Sequence, residues 1–398
     1  MAAIQFKVGS YHLHDDPNFN YQLNRLVSWG GGDLDEVREA ARKITDCASW
    51  ERELIALGAK AKAEGRIREA SGYYRMAEFF MFHGNPNKMT VYDTSRELFY
   101  QEYASCFGAE NGQIAIDRIP FQGTTLPCWH IKPQGKAKDT ILLHGGNDSS
   151  IEEFLSPVLY FAEQGFEVYC FDGPGQGETL RKGGLTFIPE WEKPVGALLD
   201  YYGLEEVTII GVSLGGMFAP RAAAFDKRIK RVVAWSILPN FLDVNLATRP
   251  PLVRAFVKFL LATKQAWLID VVFDRLAEKE ELVKWGLNHG KYAYGAKDAY
   301  GYLRACASFD MLKIADKIDQ DFLLLGARQD HFIAFDLYKP EIDALANVKS
   351  LTFRAFSDRE EAGAHCNLGN MKLALDTIMD WIRFTKARDE SAVHRMDI

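Results

Sequence analysis

The stretch VTIIGVSLGGMFA, residues 207–219, decides the fold. It opens with an apolar run, turns through Gly211-Val212-Ser213-Leu214-Gly215-Gly216 and continues into small residues from Met217 to Ala224. A continuous apolar run of this length reads as a strand buried on both faces. The small residues after it read as a helix packed closely on that strand. Gly-x-Ser-x-Gly alone occurs by chance in glycine-rich turns. Between a strand and a helix it is a sharp, strained turn that holds a serine oxygen clear of the sheet. Ser213 is therefore the candidate nucleophile. The amide of Leu214, the next residue, is a candidate donor to a developing oxyanion.

Outward from this turn the same texture repeats. Apolar runs at 140–145, 166–173, 231–237, 321–327 and 348–356 are separated by helical segments such as Ile151 to Gln164 and Glu190 to Tyr202. Strands alternating with helices make a mostly parallel, doubly wound α/β sheet. Ahead of them, IAIDRIPF and LPCWHIK flank Gln122-Gly123-Thr124, a hairpin signal. Residues from about Leu34 to Phe107 have helical spacing instead, with Asp33 placed to cap a helix reaching about Cys47. No strand pattern appears from Phe241 to Ile318, which reads as a helical insertion over the sheet. The expected organisation is a helical N-terminal domain at 1–112, a core at 113–240 and 319–398, and a helical cap at 241–318.

A serine nucleophile needs a base, an acid to orient it and a second oxyanion donor. The loop LLHGGNDS (142–149) lies at the carboxyl end of an early strand. It offers Gly146 as the donor, with Asn147 as the alternative, while His144 reads as a loop-shaping residue. In strand-turn-helix enzymes of this kind the order is Ser, then Asp or Glu, then His. Asp330, just beyond the strand FLLLGA, is the expected acid, and Asp243 is its rival. His365, in AGAHCN, is the expected base; His331 follows Asp330 directly and would point elsewhere. The glycines of FDGPGQGET (171–179) could suggest a phosphate loop, but no Gly-Lys-Ser/Thr follows. A structural turn at the pocket floor is expected there.

These residues carry a family resemblance. LHGG (143–146), DGPGQGE (172–178), GVSLGG (211–216), Gly326 with Asp330 after a late strand, and AHCN (364–367) resemble the α/β-hydrolase superfamily over about residues 115–385. The helical region before the core and the AGAHCN loop are similar to a narrower group, the 2,6-dihydroxypseudooxynicotine hydrolase and the fungal polyketide-shortening hydrolases. The resemblance implies an eight-stranded sheet and a Ser213-Asp330-His365 triad. It implies an active site between core, cap and N-terminal domain, and often a homodimer. Some members hydrolyse a carbon–carbon bond next to a ketone and use an acid outside the triad; Asp243 lies near that region. Others resemble esterases.

Composition sets the outer limits. The chain has 398 residues, 47% hydrophobic and 25% charged, with a net charge of −7. That is ordinary globular composition, long enough for a large core. It has no basic surplus to draw in nucleic acid. No apolar run reaches the roughly 18 residues of a membrane span; Val253 to Phe273, the longest candidate, is broken by charges and reads as an amphipathic helix. Six scattered cysteines form no CxxC pair, which argues against a zinc knuckle and fits a reducing, cytoplasmic setting. No metal or cofactor is expected. The function expected is hydrolysis at a carbonyl carbon of a compact, aromatic or polyketide-like small molecule. The alternatives are a carboxylesterase, or an acyltransferase or cyclase using the same residues. A non-catalytic binding protein is disfavoured because all three triad positions are filled.

Overall fold

The computed structural model describes residues 6–108, 112–236, 238–247 and 249–396, with side chains to 391. Among them, eight strands form one sheet in the order β1-β2-β4-β3-β5-β6-β7-β8. The strands are β1 (Ile114–Phe121), β2 (Thr124–Ile131), β3 (Thr140–His144), β4 (Glu167–Phe171), β5 (Val207–Val212), β6 (Ile229–Trp235), β7 (Asp321–Ala327) and β8 (Ser350–Phe356). β1 and β2 pair antiparallel through the turn Gln122-Gly123, both with positive φ, as a two-residue hairpin requires. β2 joins β4 antiparallel; all later pairs are parallel. Central strands β3 and β5 are almost wholly buried, whereas β8 is half exposed because it is an edge. The run at 231–237 forms β6 from two residues earlier, and Ile237 lies outside the described residues.

The helices, in chain order, begin with five N-terminal ones: α1 (Pro17–Ser28), α2 (Leu34–Ala41), α3 (Cys47–Ala63), α4 (Ile67–Phe79) and α5 (Lys88–Glu102). The core contributes α6 (Leu155–Glu163), α7 (Gly177–Arg181), α8 (Glu192–Tyr202) and α9 (Gly215–Phe225). Between β6 and β7 lie α10 (Phe241–Leu246), α11 (Pro251–Ala262), α12 (Ala266–Ala277), α13 (Glu281–Ala293) and α14 (Ala299–Ser308). α15 (Tyr338–Ala344) and α16 (Met371–Met396) complete the chain. One face of the sheet packs on α8, α9 and the β6–β7 helices, the other on α6 and α16, while α1–α5 hold a separate core around Trp50, Tyr73 and Phe80.

Three helical expectations change. Asp33 does cap a helix, but that helix stops at Ala41. Asp46 starts a new one, through a capping box with Ser49. α1 precedes both; its signal was Asp16-Pro17, a cap followed by proline at the first position. Val253 to Phe273 is two helices, not one, because the chain reverses at Lys264 with φ 57°.

The N-terminal helices are bolted to the core by charge. Glu78 in α4 is wholly buried and pairs with Arg181 of α7 at 2.9 Å, and with Lys88 and Arg75. Arg96 of α5 bridges Glu152 and Glu178, both at 2.7 Å. Arg25 of α1 holds Asp148 and Glu153. The same helices meet the β6–β7 insertion. Trp285 of α13 stacks on Phe79 at 5.3 Å and donates to its carbonyl, and His83 stacks on Tyr292 at 4.0 Å.

Candidate active site

Strand order creates the site. β5 lies between β3 and β6, so the loop after β3 and the turn after β5 meet at the carboxyl edge of the sheet, where α/β folds bind ligands. Ser213 occupies that turn with φ 60°, a left-handed conformation that costs a non-glycine residue about 1–3 kcal/mol. The turn is held by Ser213 N–H donating to the Trp235 carbonyl and by Gly216 N–H donating to the Ser213 carbonyl. Gly211 has no alternative: a Cβ there would lie 1.9 Å from the Gly215 carbonyl oxygen.

Three predicted residues come together. Ser213 Oγ lies 2.8 Å from His365 Nε2, and His365 Nδ1 lies 2.7 Å from Asp330 Oδ2. The other Asp330 oxygen accepts the amides of Phe332 and Ile333 at 2.9 and 3.0 Å. Burial disfavours the Asp330 charge, yet His365 and these donors hold its carboxyl below the usual range. Burial likewise opposes a charge on His365, but the Asp330 carboxylate outweighs it and raises the imidazole well above its ordinary value. The histidine loop is strained, with Cys366 and Asn367 both at positive φ. Asn367 anchors it by accepting from Trp235 Nε1 at 2.9 Å and donating to the Ala362 carbonyl.

The two predicted oxyanion donors are placed differently. Leu214 N–H has no acceptor among the described residues. Gly146 packs so tightly on the serine turn that a Cβ would come within 2.7 Å of Leu214 N, but its own N–H already donates to Ser149 Oγ at 3.0 Å. The next amide, Asn147 N–H, is without an acceptor among the described residues. Asp243 is not brought to the other three. Its half-exposed carboxylate pairs with Lys258 of α11, and its backbone sits at the start of α10 under the Asn240 cap. His331 packs at a tilt against Phe332 and Tyr21, not on the serine, and burial pushes its imidazole down to about 4. His144 is buried behind the loop, its ring against Phe171 and Trp191.

The sequence reading missed three further contributors. Tyr21 of α1 donates from its hydroxyl to the His365 carbonyl at 3.3 Å, and its ring lies edge-on to that imidazole. Tyr294 donates to Asn147 Oδ1 at 2.9 Å, while His289 Nε2 contacts the Asn147 carbonyl at 3.3 Å. Burial lowers His289 to about 4, so it stays neutral. All three sit on or just after amphipathic helices, where an aromatic residue reads as core. Gln176 was legible only as part of DGPGQGE. Its amide donates to the carbonyls of Gly145 and Gly146 at 2.7 and 3.0 Å, so the glycine turn buttresses the β3 loop instead of cradling a phosphate. Among the described residues no group of three or more His, Cys, Asp or Glu side chains could hold a metal ion, and the six cysteines are all free and buried. No described helix is long and apolar enough to cross a membrane.

A mostly parallel eight-stranded sheet with a strained serine at its carboxyl edge defines an α/β hydrolase. The family model for the alpha/beta hydrolase fold matches residues 140–358, more than half of the chain, and the chain belongs to that family. It is accordingly an enzyme of the hydrolase class. Among similar proteins is alpha/beta hydrolase psoB of Aspergillus fumigatus, 28% identical over 76% of this chain and 76% of the relative. The 20-hydroxy-prefusarin hydrolase FUS2 of Gibberella moniliformis is 26% identical over 93% and 96%. Among solved structures, the 2,6-dihydroxy-pseudo-oxynicotine hydrolase shares the fold with a TM-score of 0.61 and 18% identity, over 90% of this chain and 94% of that one.

Proposed function

We propose that Ser213, His365 and Asp330 act as nucleophile, base and orienting acid in hydrolysis at a carbonyl carbon of a compact, aromatic or polyketide-like small molecule, cleaving either a carbon–carbon bond next to a ketone or an ester. The observation that carries this reading is the continuous chain of hydrogen bonds from Ser213 Oγ through both His365 nitrogens to Asp330, at 2.8 and 2.7 Å. His365 takes the Ser213 proton as Oγ attacks the carbonyl carbon. Asp330 fixes the imidazole tautomer and stabilises the imidazolium. Two free amides, Leu214 and Asn147, receive the oxyanion, with Asn147 taking the part first assigned to Gly146. His365 passes its proton to the leaving group, and water, deprotonated by the same imidazole, then releases the acyl group. In carbon–carbon cleavage the leaving carbanion needs that proton before it can return. Asp243, paired with Lys258, has no part in this scheme.

The substrate class rests on relatives and surroundings. FUS2 is named for 20-hydroxy-prefusarin, and the aromatic residues Phe187, Phe241 and Tyr294 pack together where the β6–β7 helices meet the core. The N-terminal helices touch the His365 loop, the cap touches the Asn147 loop, and the two touch each other, which favours an enclosed, water-poor chamber and a small substrate over a polymer. The direct test is a fluorophosphonate probe with wild type and Ser213→Ala. Labelling should occur at Ser213 and vanish in the variant, with turnover reduced by about 10⁶-fold; labelling at another residue refutes the assignment. A screen of aryl esters against aryl β-diketones, read by product mass, decides which bond breaks.

A further inference from the structure

Between the N-terminal helices and the core lies a cavity lined by none of Ser213, His365 and Asp330. Its walls come from α1, α4 and α5 on one side and from Ser150 to Glu153 of the β3–α6 loop on the other. It encloses about 70 Å³ and is partly open, with exposed Arg68 among its lining residues. A cavity of about 150 Å³ holds benzene, so this one suits a smaller molecule. Trp29, Met76 and Phe99 make much of the wall apolar. Three buried donors on that wall have no acceptor among the described residues: Arg25 Nε, Arg75 Nε and the Tyr92 hydroxyl. An unmet buried donor is costly, and three around one cavity call for an acceptor inside it. The Arg25 side chain is only 5% exposed. Burial opposes its charge, but Glu153 and Asp148 keep it protonated.

We propose that this cavity binds a small monocarboxylate, its oxygens on the Arg25, Arg75 and Tyr92 donors and its short apolar tail against Trp29 and Phe99. The carboxylates already there are engaged. Glu152 accepts from Arg96 at 2.7 Å and from Tyr100 at 3.3 Å. Glu153 pairs with Arg25 through one oxygen; the other faces Arg75 Nη2 at 2.7 Å, off the hydrogen-bond axis. Asp148 and Glu78 meet only terminal nitrogens of Arg25 and Arg75, which leaves both Nε–H groups to a ligand. The surplus is therefore of cationic donors, and a carboxylate is the acceptor that guanidinium groups hold best. Inorganic phosphate offers the oxygens, but a dianion against the apolar part of the wall is disfavoured by burial. An apolar wall with a few placed polar groups is the usual make-up of a small-molecule site.

The test is ligand-observed saturation-transfer NMR on the purified full chain with propionate, propionamide and inorganic phosphate. Propionate should bind in the millimolar range, and propionamide and phosphate should bind far more weakly. Tyr92→Phe deletes one oxygen that has no protein partner. The variant should keep the circular dichroism and unfolding temperature of wild type while propionate binding weakens by about 10-fold, the scale of a lost hydrogen bond to a charged group. Arg75→Lys keeps a cation beside Glu153 and drops Nε; it is the second variant and should weaken propionate likewise. Absence of propionate binding overturns the proposal and leaves the cavity to water. Propionamide or phosphate binding as well as propionate overturns the carboxylate assignment. Binding undiminished in both variants also overturns it, because the propionate then sits elsewhere, the serine site included.

Discussion

Asp330 and Asp243 each follow a strand of the sheet, yet their surroundings separate them. Asp330 is buried, accepts two backbone amides and holds His365; Asp243 is half in water and salt-bridged to Lys258. Asp330→Asn should lower turnover by about 10⁴-fold, whereas Asp243→Asn should change it by no more than a few-fold. The reverse order in single-turnover acylation would exchange their roles. The pH profile has a definite sign. The proposed base must be neutral to act, so kcat/KM should rise with pH as His365 loses its proton. Asp330 favours the imidazolium despite burial, so the midpoint should lie above the 6.5 of an ordinary histidine, and Asp330→Asn should move it down. Tyr294→Phe tests the proposed oxyanion loop. Losing one hydrogen bond of about 0.5–1.5 kcal/mol from the Asn147 side chain should lower kcat by roughly 3–10-fold with KM nearly unchanged.

At the scale of elements, the serine turn and the N-terminal helices are secured by different physics. β5 and α9 approach through glycine, and the elbow follows from local sterics. α4 and α5 are held to α7 and the β3–α6 loop by buried ion pairs. Glu78 has no exposure and faces Arg75, Lys88 and Arg181. Burial disfavours its charge, but these three cations drive its carboxyl far below the usual range. Removing it strands them, so Glu78→Ala should destabilise the fold by about 3–5 kcal/mol in urea titration. A depressed carboxyl contributes stability that is present above its unfolded value, near 4.5, and is lost as pH falls below it. Wild-type stability should therefore drop in acid, and the drop should be smaller in Glu78→Ala.

At the scale of the whole molecule, the site is closed by parts that are distant in the chain. Tyr21 reaches the His365 loop across 344 residues of sequence, and Tyr294 reaches Asn147 across 147. Deleting residues 1–112 would remove the Tyr21 contact and uncover the side of Trp129 that packs on Phe99. The truncated protein should aggregate or lose activity on both an aryl ester and a diketone. Full activity of a soluble truncation on both would show that α1–α5 do not serve the site.

What the sequence by itself determined is whatever rests on short-range sterics. The strand–turn–helix around Ser213, the Gln122-Gly123 hairpin and the parallel sheet were all readable, because glycine placement and apolar runs act within a few residues. The break at Lys264 and the early end of α2 were local too, but they hang on one turn each, where helical periodicity alone runs straight through. The tertiary structure alone decided that Gly146 spends its amide on Ser149 Oγ, that Asp243 turns to Lys258, and that Tyr21 and Tyr294 brace the site. Each of these depends on which partner lies nearest in space once the sheet has closed. An aromatic on an amphipathic helix carries the same signal in the sequence whether it packs in a core or braces a catalytic loop.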